Sequence, residues 1–159
     1  MRIIALADTH SEPLPKVLEA ELKQAGLIVH VGDFCEPEVY RHLKAIHEVR
    51  AVYGNMDGAE LRKALPKVAV FECEGVRIGL AHGDGSYDSI LPRLRELFCD
   101  QKVAVVVYGH SHVAQSDMID GVLYFNPGSP TDTIRAPYRS YGVLDIKDGK
   151  VKAHIVKIR

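Results

Sequence analysis

Short apolar runs alternate with amphipathic stretches through the first third of the chain. The runs are too brief for helices and are rich in isoleucine and valine, which favours buried strands. Gly26 is a stop signal after the first amphipathic stretch, and Pro37 lies in the first turn of the second. The pattern predicts parallel βαβ units with strands at 2–7, 27–31 and 49–53 and helices at 14–25 and 36–47.

The rest of the chain predicts a mixed arrangement of strands around one helix. Residues 68–82 have the pattern of a hairpin that turns near Glu74-Gly75, and Asp148-Gly149 joins the last two strands. A helix is predicted at 86–98, with Ser86 as its N-cap, and further strands at 103–108, 122–125, 140–146 and 150–158. We therefore expect a single domain, 1–159, in which two sheets pack face to face with helices outside, an α/β sandwich.

The composition and net charge limit the kinds of protein and of binding partner that the sequence allows. The chain has 159 residues, 47% of them hydrophobic, and a formal net charge of −1. That charge gives no long-range attraction to long nucleic acids or anionic membranes, and no apolar run approaches the ~18–20 residues that span a bilayer. The first residues do not resemble a signal peptide. Cys35, Cys73 and Cys99 are odd in number and widely spaced, so we expect reduced core cysteines in a cytoplasmic protein.

Polar side chains follow five of the predicted strands, at the point where each strand ends. Ligand sites in open α/β sheets lie just beyond the carboxyl ends of strands, so these side chains are expected to converge. The glycines beside them are expected to let the backbone turn sharply and approach a ligand. The five segments are Ala7-Asp8-Thr9-His10, Gly32-Asp33, Gly54-Asn55, His82-Gly83 and Gly109-His110-Ser111-His112.

The chemistry of these side chains points to metal ions. Carboxylate, amide oxygen and imidazole suit Mn, Fe, Zn, Ni or Co, and the absence of thiolate argues against a structural zinc site. Seven candidate ligands are too many for one ion: Asp8, His10, Asp33, Asn55, His82, His110 and His112. Two ions bridged by Asp33 would each have four ligands, and such a pair suits displacement at phosphorus. The sequence therefore indicates hydrolysis of a phosphate ester.

Each of these residues also has a simpler interpretation when it is taken alone. Asp8 and Asp33 would be turn or helix caps, Asn55 a turn residue, and two histidines at i and i+2 an incidental pair on a loop. Five such elements at five strand ends favour the metal site. His30 lies within an apolar run and is expected to be a hydrogen-bonded core residue. Three residues further along the chain are either solvated loop residues or contacts to a substrate phosphate: Arg135, Tyr138 and Arg139.

The order D-x-H, GD, GN, H-G and GHSH resembles the calcineurin-like metallophosphoesterase superfamily. The short chain and the stretch Asn126-Pro127-Gly128-Ser129 are similar to its small YfcE-like phosphodiesterase branch. The resemblance implies a four-layer α/β/β/α sandwich of two mixed sheets. It also implies a first ion held by Asp8, His10, Asp33 and His112, and a second held by Asp33, Asn55, His82 and His110.

The activity implied is that of a dinuclear phosphodiesterase on a small soluble substrate, with a metal-bridging hydroxide attacking phosphorus. Manganese is the first expectation for both ions, with Ni, Fe, Co or Zn as alternatives. Asn55, His82 and His10 are expected to take part in catalysis, and Asp57 to orient a ligand. A phosphomonoesterase, or a non-catalytic scaffold like the retromer subunit of this fold, remains an alternative, and a homo-oligomer is compatible with the sequence.

One position departs from the family pattern. In the wider superfamily the third block reads GNH, and its histidine helps to protonate the leaving oxygen. Here the block is Gly54-Asn55-Met56-Asp57, and methionine cannot donate a proton. General acid catalysis contributes ~10²–10⁴-fold, so we expect a preference for esters with good leaving groups or for substrates that supply their own proton.

Overall fold

The protein consists of ten strands and four helices arranged in four layers. The computed structural model describes residues 1–159. In chain order the elements are β1 (Arg2–Leu6), α1 (Lys16–Leu22), β2 (Leu27–His30), α2 (Pro37–Ile46), β3 (Val49–Ala51), α3 (Ala59–Ala64), β4 (Val68–Cys73), β5 (Val76–Ala81), α4 (Tyr87–Phe98), β6 (Val105–Val107), β7 (Gln115–Ile119), β8 (Val122–Asn126), β9 (Ser140–Lys147) and β10 (Lys150–Lys157).

The strands form two five-stranded mixed sheets, in the orders β10-β9-β1-β2-β3 and β4-β5-β6-β8-β7. β1, β2 and β3 are parallel in the first sheet, and β5, β6 and β8 are parallel in the second. The antiparallel strands lie at the sheet edges, apart from β9, which separates β10 from β1. The predicted sandwich of two mixed sheets is therefore confirmed.

Three apolar clusters hold the layers together. The largest contains 16 buried residues contributed by both sheets, among them Ile3, Val29, Ile78 and Phe125, so it lies between them. A second cluster packs α1, α2 and α3 against the outer face of the first sheet, and a third packs α4 against the second sheet. The sheets are thus buried on both faces, which explains why their central strands read as continuous apolar runs.

The parallel strands point their carboxyl ends to one edge of the sandwich. Parallel neighbours within a sheet necessarily end at the same edge, and the loops that follow them in the two sheets meet there. The backbone N–H of His110, after β6, donates to the carboxylate of Asp8, after β1, at 3.0 Å. This hydrogen bond joins the two sheets at the edge where the polar segments converge.

Some predicted elements differ from those observed. α1 ends at Leu22, and Gly26 does not terminate it; the Gly26 N–H instead donates to the Arg2 carbonyl, in register for β2. Ser86 occupies the N-cap position of α4, but its hydroxyl donates to the Ser89 hydroxyl and caps no backbone N–H. Strand β6 is shorter than predicted, at Val105–Val107.

Two elements went unpredicted, α3 and β7. The sequence AELRKA of α3 is too short to show a helical repeat, and QSDMI of β7 has too few apolar residues to read as a strand. Strand β7 pairs with β8 through a turn at Asp120-Gly121, both of which have positive φ. That turn signal, together with the apolar β8, is the only sequence evidence for the hairpin.

The cysteines are only partly core residues. All three are free thiols: Cys73 is buried, Cys35 is half-buried and Cys99 is exposed. The expectation that all three are small core residues is therefore wrong for Cys99, which follows directly after α4 and lies at the surface. None of the helices is long and apolar enough to cross a lipid bilayer.

Candidate metal centre

The seven side chains predicted as ligands all lie in loops at this edge, and five of them have an unusual backbone. These five have φ between 46° and 71°, the left-handed region: Asp8, His10, Asp33, His110 and His112. Asp and His tolerate this region better than most residues, yet it still costs free energy at each position. Strain concentrated on five neighbouring polar residues is typical of a functional site, because the surrounding fold must hold each side chain in one direction.

One cluster of potential ligands is formed by Asp8, His10 and His112. The Nε2 atoms of His10 and His112 are 3.1 Å apart, and His112 Nε2 is 3.7 Å from Asp8 Oδ1. Two nitrogens that share one ion at about 2.1 Å would be roughly 3.0–3.4 Å apart. The spacing of the two imidazoles therefore fits a common metal ion.

A second cluster shares Asp8 and adds Asp33 and His82. Asp33 Oδ2 lies 3.3 Å from His82 Nε2 and 3.8 Å from His10 Nε2, so it stands between the two clusters. The amide oxygen of Asn55 completes the second group, 3.0 Å from His82 Nε2 and 3.1 Å from His110 Nδ1. All seven predicted residues are thus brought together.

Hydrogen bonds to the protein fix the ring tautomers of three of the histidines. His82 donates its Nδ1–H to the Val31 carbonyl at 2.8 Å, and His110 donates its Nε2–H to the Gly85 carbonyl at 3.1 Å. His112 donates its Nδ1–H to a carboxylate, that of Asp132. In each neutral ring the other nitrogen carries a lone pair and faces the centre. This pattern, in which one nitrogen is held by the protein and the other is free, is typical of metal-binding histidines.

Burial and mutual charge shift the pKa values of the central groups. Burial raises the pKa of Asp8 to about 6, although the positive charges of His82 and His112 oppose the rise. For Asp33 burial is outweighed by the hydrogen bond and charge of His82, so its pKa is lowered. Burial would also lower the pKa of His82, but the two carboxylates raise it above the usual value. Without a cation, the buried carboxylates therefore draw protons to the site.

Two of the flanking glycines make room for the carboxylates. A Cβ at Gly54 would lie 2.2 Å from Asp33 Oδ1, and one at Gly109 would lie 3.0 Å from Asp8 Oδ2 and 2.8 Å from Ala7 Cβ. Neither glycine has positive φ. The expectation that the glycines serve sharp turns is therefore wrong at these two positions, where the missing side chain is what matters.

Asp57 belongs to neither cluster, but its carboxylate binds the backbone of the loops that carry two of the ligands. Its carboxylate is 3% exposed and accepts three backbone N–H groups, from Gly54 at 2.7 Å, Cys35 at 2.8 Å and Asp33 at 3.0 Å. These bonds tie the loop after β3 to the loop after β2. Asp57 thus positions the backbone on which Asp33 and Asn55 are mounted.

Sequence reasoning missed the contribution of Asn126, the last residue of β8, and of the loop that follows it. The Asn126 amide donates to the Gly109 carbonyl at 3.0 Å, and the Ser129 hydroxyl donates to the Asp8 carbonyl at 2.7 Å. Asp132, which accepts the Nδ1–H of His112, was not recognised either, although it lies shortly after the motif Asn126-Pro127-Gly128-Ser129. This loop holds the strained segments after β1 and β6.

The remaining predictions near the site have mixed outcomes. His30 is fully buried with its Nε2 3.1 Å from the Thr9 hydroxyl, which confirms it as a hydrogen-bonded core residue. The Tyr138 ring lies under the Lys157 ammonium, 4.0 Å from the ring centroid. Arg135 is exposed and its backbone N–H donates to Asp132. A contact between Arg135 or Arg139 and a substrate phosphate stays a prediction.

Comparison with known proteins identifies the family. Residues 1–149 match the model of the calcineurin-like phosphoesterase superfamily domain. The chain belongs to this superfamily. Membership implies divalent metal ions, and the donor set described above, oxygen and unprotonated imidazole nitrogen, fits them.

Two relatives of this chain from one archaeon have the names of phosphoesterases. "Probable metallophosphoesterase MJ0623" of Methanocaldococcus jannaschii is 35% identical over 165 aligned residues, covering 99% of this chain and 82% of that protein. "Phosphodiesterase MJ0936" of the same organism is 28% identical over 145 residues, covering 80% and 83% of the two chains.

Solved structures show the same fold. A predicted phosphoesterase from Streptococcus pneumoniae superposes with a TM-score of 0.78 at 25% identity, covering 98% of this chain and 88% of that one. Vps29 of Entamoeba histolytica, in a complex with Zn²⁺, superposes with a TM-score of 0.76 at 24% identity and 99% coverage of both chains. The architecture of this chain is thus shared with proteins of different names.

Proposed function

We propose that this protein is a dinuclear metal-dependent phosphodiesterase that acts on a small soluble phosphate ester. The observation that carries the proposal is the convergence of seven ligand-type side chains on one point, with their free imidazole nitrogens turned inward. The relative named as a phosphodiesterase supports the diester over the monoester.

Asp8 is the carboxylate common to both clusters, but the position of Asp33 Oδ2 between His10 and His82 supports Asp33 as the group shared by the two ions. Its Oδ1 accepts the Met56 N–H at 2.8 Å, which leaves Oδ2 between His10 and His82. In the proposal, Asp8, His10, Asp33 and His112 hold one divalent ion, manganese in the first instance. Asp33, Asn55, His82 and His110 hold the other.

The ions, when bound, activate a water molecule and neutralise charge on the phosphoryl oxygens. The chain's own residues determine how a substrate reaches them. Asp8 and His82 are buried, whereas Asn55 and Met56 are exposed and His10 is half-buried, so the substrate approaches from the side of these last three. Asn55, His10 and His82 fix the geometry in which the developing charge is stabilised.

The proposed enzyme lacks the side chain that protonates the leaving oxygen in the wider superfamily. Met56 occupies the family's histidine position, its side chain is 57% exposed, and its thioether carries no proton. The proposed activity therefore favours leaving groups that depart as stable anions, such as phenolates.

A protein-binding scaffold has less support in this chain. A scaffold has no need to keep seven ligand-type side chains or to hold five of them in a strained backbone. The large exposed apolar residues are also spread over different elements, for example Val17 on α1 and Met118 on β7, and Ile134 lies in the loop before β9. This dispersion is unlike the continuous apolar patch of a docking face.

The test compares bis-p-nitrophenyl phosphate with p-nitrophenyl phosphate. Metal-stripped protein is assayed alone and after addition of Mn²⁺, Ni²⁺ or Zn²⁺, beside the variants Asp33→Ala and Asp100→Ala. Asp100 is an exposed residue in the turn after α4, remote from the site, and serves as the matched control.

We expect metal-dependent hydrolysis of the diester that is faster than hydrolysis of the monoester, lost in Asp33→Ala and retained in Asp100→Ala. Faster monoester hydrolysis would make the protein a phosphomonoesterase. No hydrolysis with any metal would refute the proposal and leave the scaffold as the better explanation.

A further inference from the structure

A cavity of about 450 Å³ opens beside the proposed metal centre. Asn55 and His82 form part of its lining, so the cavity is continuous with the second cluster of ligands. Its other walls come from the segment between α3 and β4, the end of β5 and three residues of α4: Arg93, Leu94 and Leu97. Small-molecule sites have volumes of about 300–1,000 Å³, so this space suits a substituent larger than a phosphate group.

One side of the cavity is apolar. Val68, Ala81, Leu94 and Leu97 line it, and the ring of Tyr53 adds an aromatic surface. Leu97 is 45% exposed although it is a large apolar side chain, and it faces this space. Ala81 and Leu94 are already buried, so an apolar or aromatic group of a ligand would remove mainly Val68 and Leu97 from water.

The other side of the cavity is cationic. Arg62, Lys67 and Arg93 line it together with one acid, Asp84. Asp84 is already paired, since its Oδ1 accepts from Arg93 at 2.7 Å. Neither Arg62 nor Lys67 has a carboxylate oxygen within 4.0 Å of its side-chain nitrogens. Two positive charges therefore remain uncompensated at the rim of the cavity.

Arg62 is held rigidly next to the proposed ligand Asn55. Its Nη2 donates to the backbone carbonyl of Asn55 and its Nε to the backbone carbonyl of Asp57, both at 2.7 Å. The guanidinium also lies over the Tyr53 ring, 5.2 Å from the centroid. A guanidinium has five N–H donors, so several remain for a ligand, and a fixed one loses little entropy when it binds.

We propose that this cavity binds the part of the substrate that is not hydrolysed, and that it selects phosphodiesters in which that part is apolar or aromatic and carries a second anionic group. The inference rests on the proposed phosphodiesterase function. The reacting phosphate would lie at the metal ions, the apolar portion against Val68 and Leu97, and the second anion at Arg62 and Lys67. A nucleotide with an additional phosphate has this combination of features.

Two substrates that differ only in the second anion test the proposal. Thymidine 5′-(p-nitrophenyl phosphate) and its 3′-phosphorylated counterpart release the same p-nitrophenolate, so leaving-group effects cancel in the ratio of their kcat/KM values. In the metal-loaded wild-type protein we expect kcat/KM to be about fivefold higher for the 3′-phosphorylated diester, the effect of one exposed ion pair. Because the cations are exposed, the ratio should decrease at high salt.

Lys67→Met and Lys63→Met form a matched pair. Lys67 makes no hydrogen bond or ion pair with the protein through its side chain, while Lys63 is an exposed lysine of α3 that does not line the cavity. We expect the ratio to fall towards one in Lys67→Met and to stay at the wild-type value in Lys63→Met. Leu97→Glu adds a negative charge to the apolar wall and should also lower the ratio of the two kcat/KM values below that of the wild type. Val17→Glu on α1 is the control for this variant and should leave the ratio unchanged.

A binding measurement separates this inference from the phosphodiesterase proposal. Calorimetric titration of Mn²⁺-loaded protein with thymidine 3′,5′-bisphosphate should show about fivefold weaker binding in Lys67→Met than in Lys63→Met, whether or not any diester is hydrolysed. If the protein hydrolyses bis-p-nitrophenyl phosphate but does not discriminate between the thymidine diesters, the phosphodiesterase proposal stands. The proposal that the cavity binds a second anionic group is then refuted. Equal bisphosphate binding by the two lysine variants would refute it too, even if the protein hydrolyses nothing.

Discussion

The imidazole of His112 donates its Nδ1–H to the carboxylate of Asp132, a residue that lies in the loop after β8. Both side chains are largely shielded from water, with 7% and 12% of their surfaces exposed. The same carboxylate accepts the backbone N–H groups of Ile134 and Arg135 at 2.8 and 3.0 Å. Asp132 is therefore fixed by its own loop, and it holds His112 with the unprotonated Nε2 directed at the metal centre.

The variant Asp132→Asn should weaken metal binding without unfolding the loop. The asparagine oxygen can still accept the two backbone N–H groups, but its NH₂ would face the Nδ1–H of His112. The imidazole would then shift its proton to Nε2, the atom proposed to bind the ion. We expect Mn²⁺ affinity to fall by about 10- to 100-fold, measured by calorimetric titration.

Asp100→Asn is the control for that experiment, because Asp100 is exposed and remote from the site. It should bind Mn²⁺ as the wild type does. Unchanged Mn²⁺ affinity in Asp132→Asn would show that the carboxylate has no influence on the ligand nitrogen.

Asp57→Ala should destabilise the protein, since three backbone N–H groups would lose their acceptor. Each is at least partly buried, and we expect the free energy of unfolding of the metal-free protein to fall by about 3 kcal/mol in urea titrations. Asp100→Ala should stay within about 0.5 kcal/mol of the wild type. A loss of hydrolysis in Asp57→Ala with wild-type stability would instead assign Asp57 a direct role in the chemistry.

Metal binding should become weaker as the pH falls through 6. Burial raises the pKa of Asp8 to about 6 in the metal-free protein, and a carboxylate must be ionised to bind a cation. Below that pH, Mn²⁺ affinity should decrease by about tenfold per pH unit through Asp8 alone, with close to one proton released on binding. Titrations in buffers of different ionisation enthalpy measure both quantities, and pH-independent affinity between 5 and 7 would contradict the assignment.

The same shift predicts how the stability of the metal-free protein depends on pH. The folded-state pKa of Asp8 is above its unfolded value of 3.8, so the stabilisation from protonating it is fully present below pH 3.8 and is lost as the pH rises through 6. Relative to Asp8→Asn, which does not titrate, the wild type should gain about 2 kcal/mol between pH 7 and pH 4. Urea unfolding of both proteins across this range checks the sign.

Met56→His should restore proton donation to poor leaving groups. Met56 is exposed, so an imidazole can replace the side chain without displacing the core. We expect kcat/KM for a diester with an alcohol leaving group, such as glycerophosphocholine followed by phosphorus NMR, to rise by up to about 10²-fold. The rate with bis-p-nitrophenyl phosphate should hardly change, because p-nitrophenolate leaves without a proton.

Met118→His provides the comparison for a histidine added far from the centre, on β7. Met118 is 68% exposed, and its replacement should leave both rates at the wild-type values. Equal acceleration in the two variants would show that position 56 has no special relation to the leaving group.

Most of the fold could be predicted from the order of apolar runs. The central strands are buried on both faces, so they appear as uninterrupted apolar segments whose position is plain in the sequence. α3 and β7 could not be predicted, because α3 is a six-residue helix and β7 is an edge strand with few apolar residues. Their conformation is decided by the neighbours against which they pack.

The candidate ligands could also be predicted, because each directly follows an apolar strand and the parallel strands end at one edge. Their supports could not. Asp132 and Ser129 are ordinary polar loop residues in the sequence, and each acquires its role from an atom distant along the chain. Thus Ser129 binds the carbonyl of Asp8, and Asp132 binds the ring of His112.

The sequence by itself determined which side chains are available at the ends of the strands. Their oxygen and imidazole nitrogen atoms also determined that they are suitable ligands for divalent cations. The tertiary structure alone decided which nitrogen of each imidazole is free, which carboxylate oxygen stands between the two clusters, and which loops carry uncompensated charge. The reason is physical: donor chemistry belongs to the residue, whereas tautomer, pKa and unpaired charge depend on hydrogen bonds and burial contributed by segments far apart in the chain.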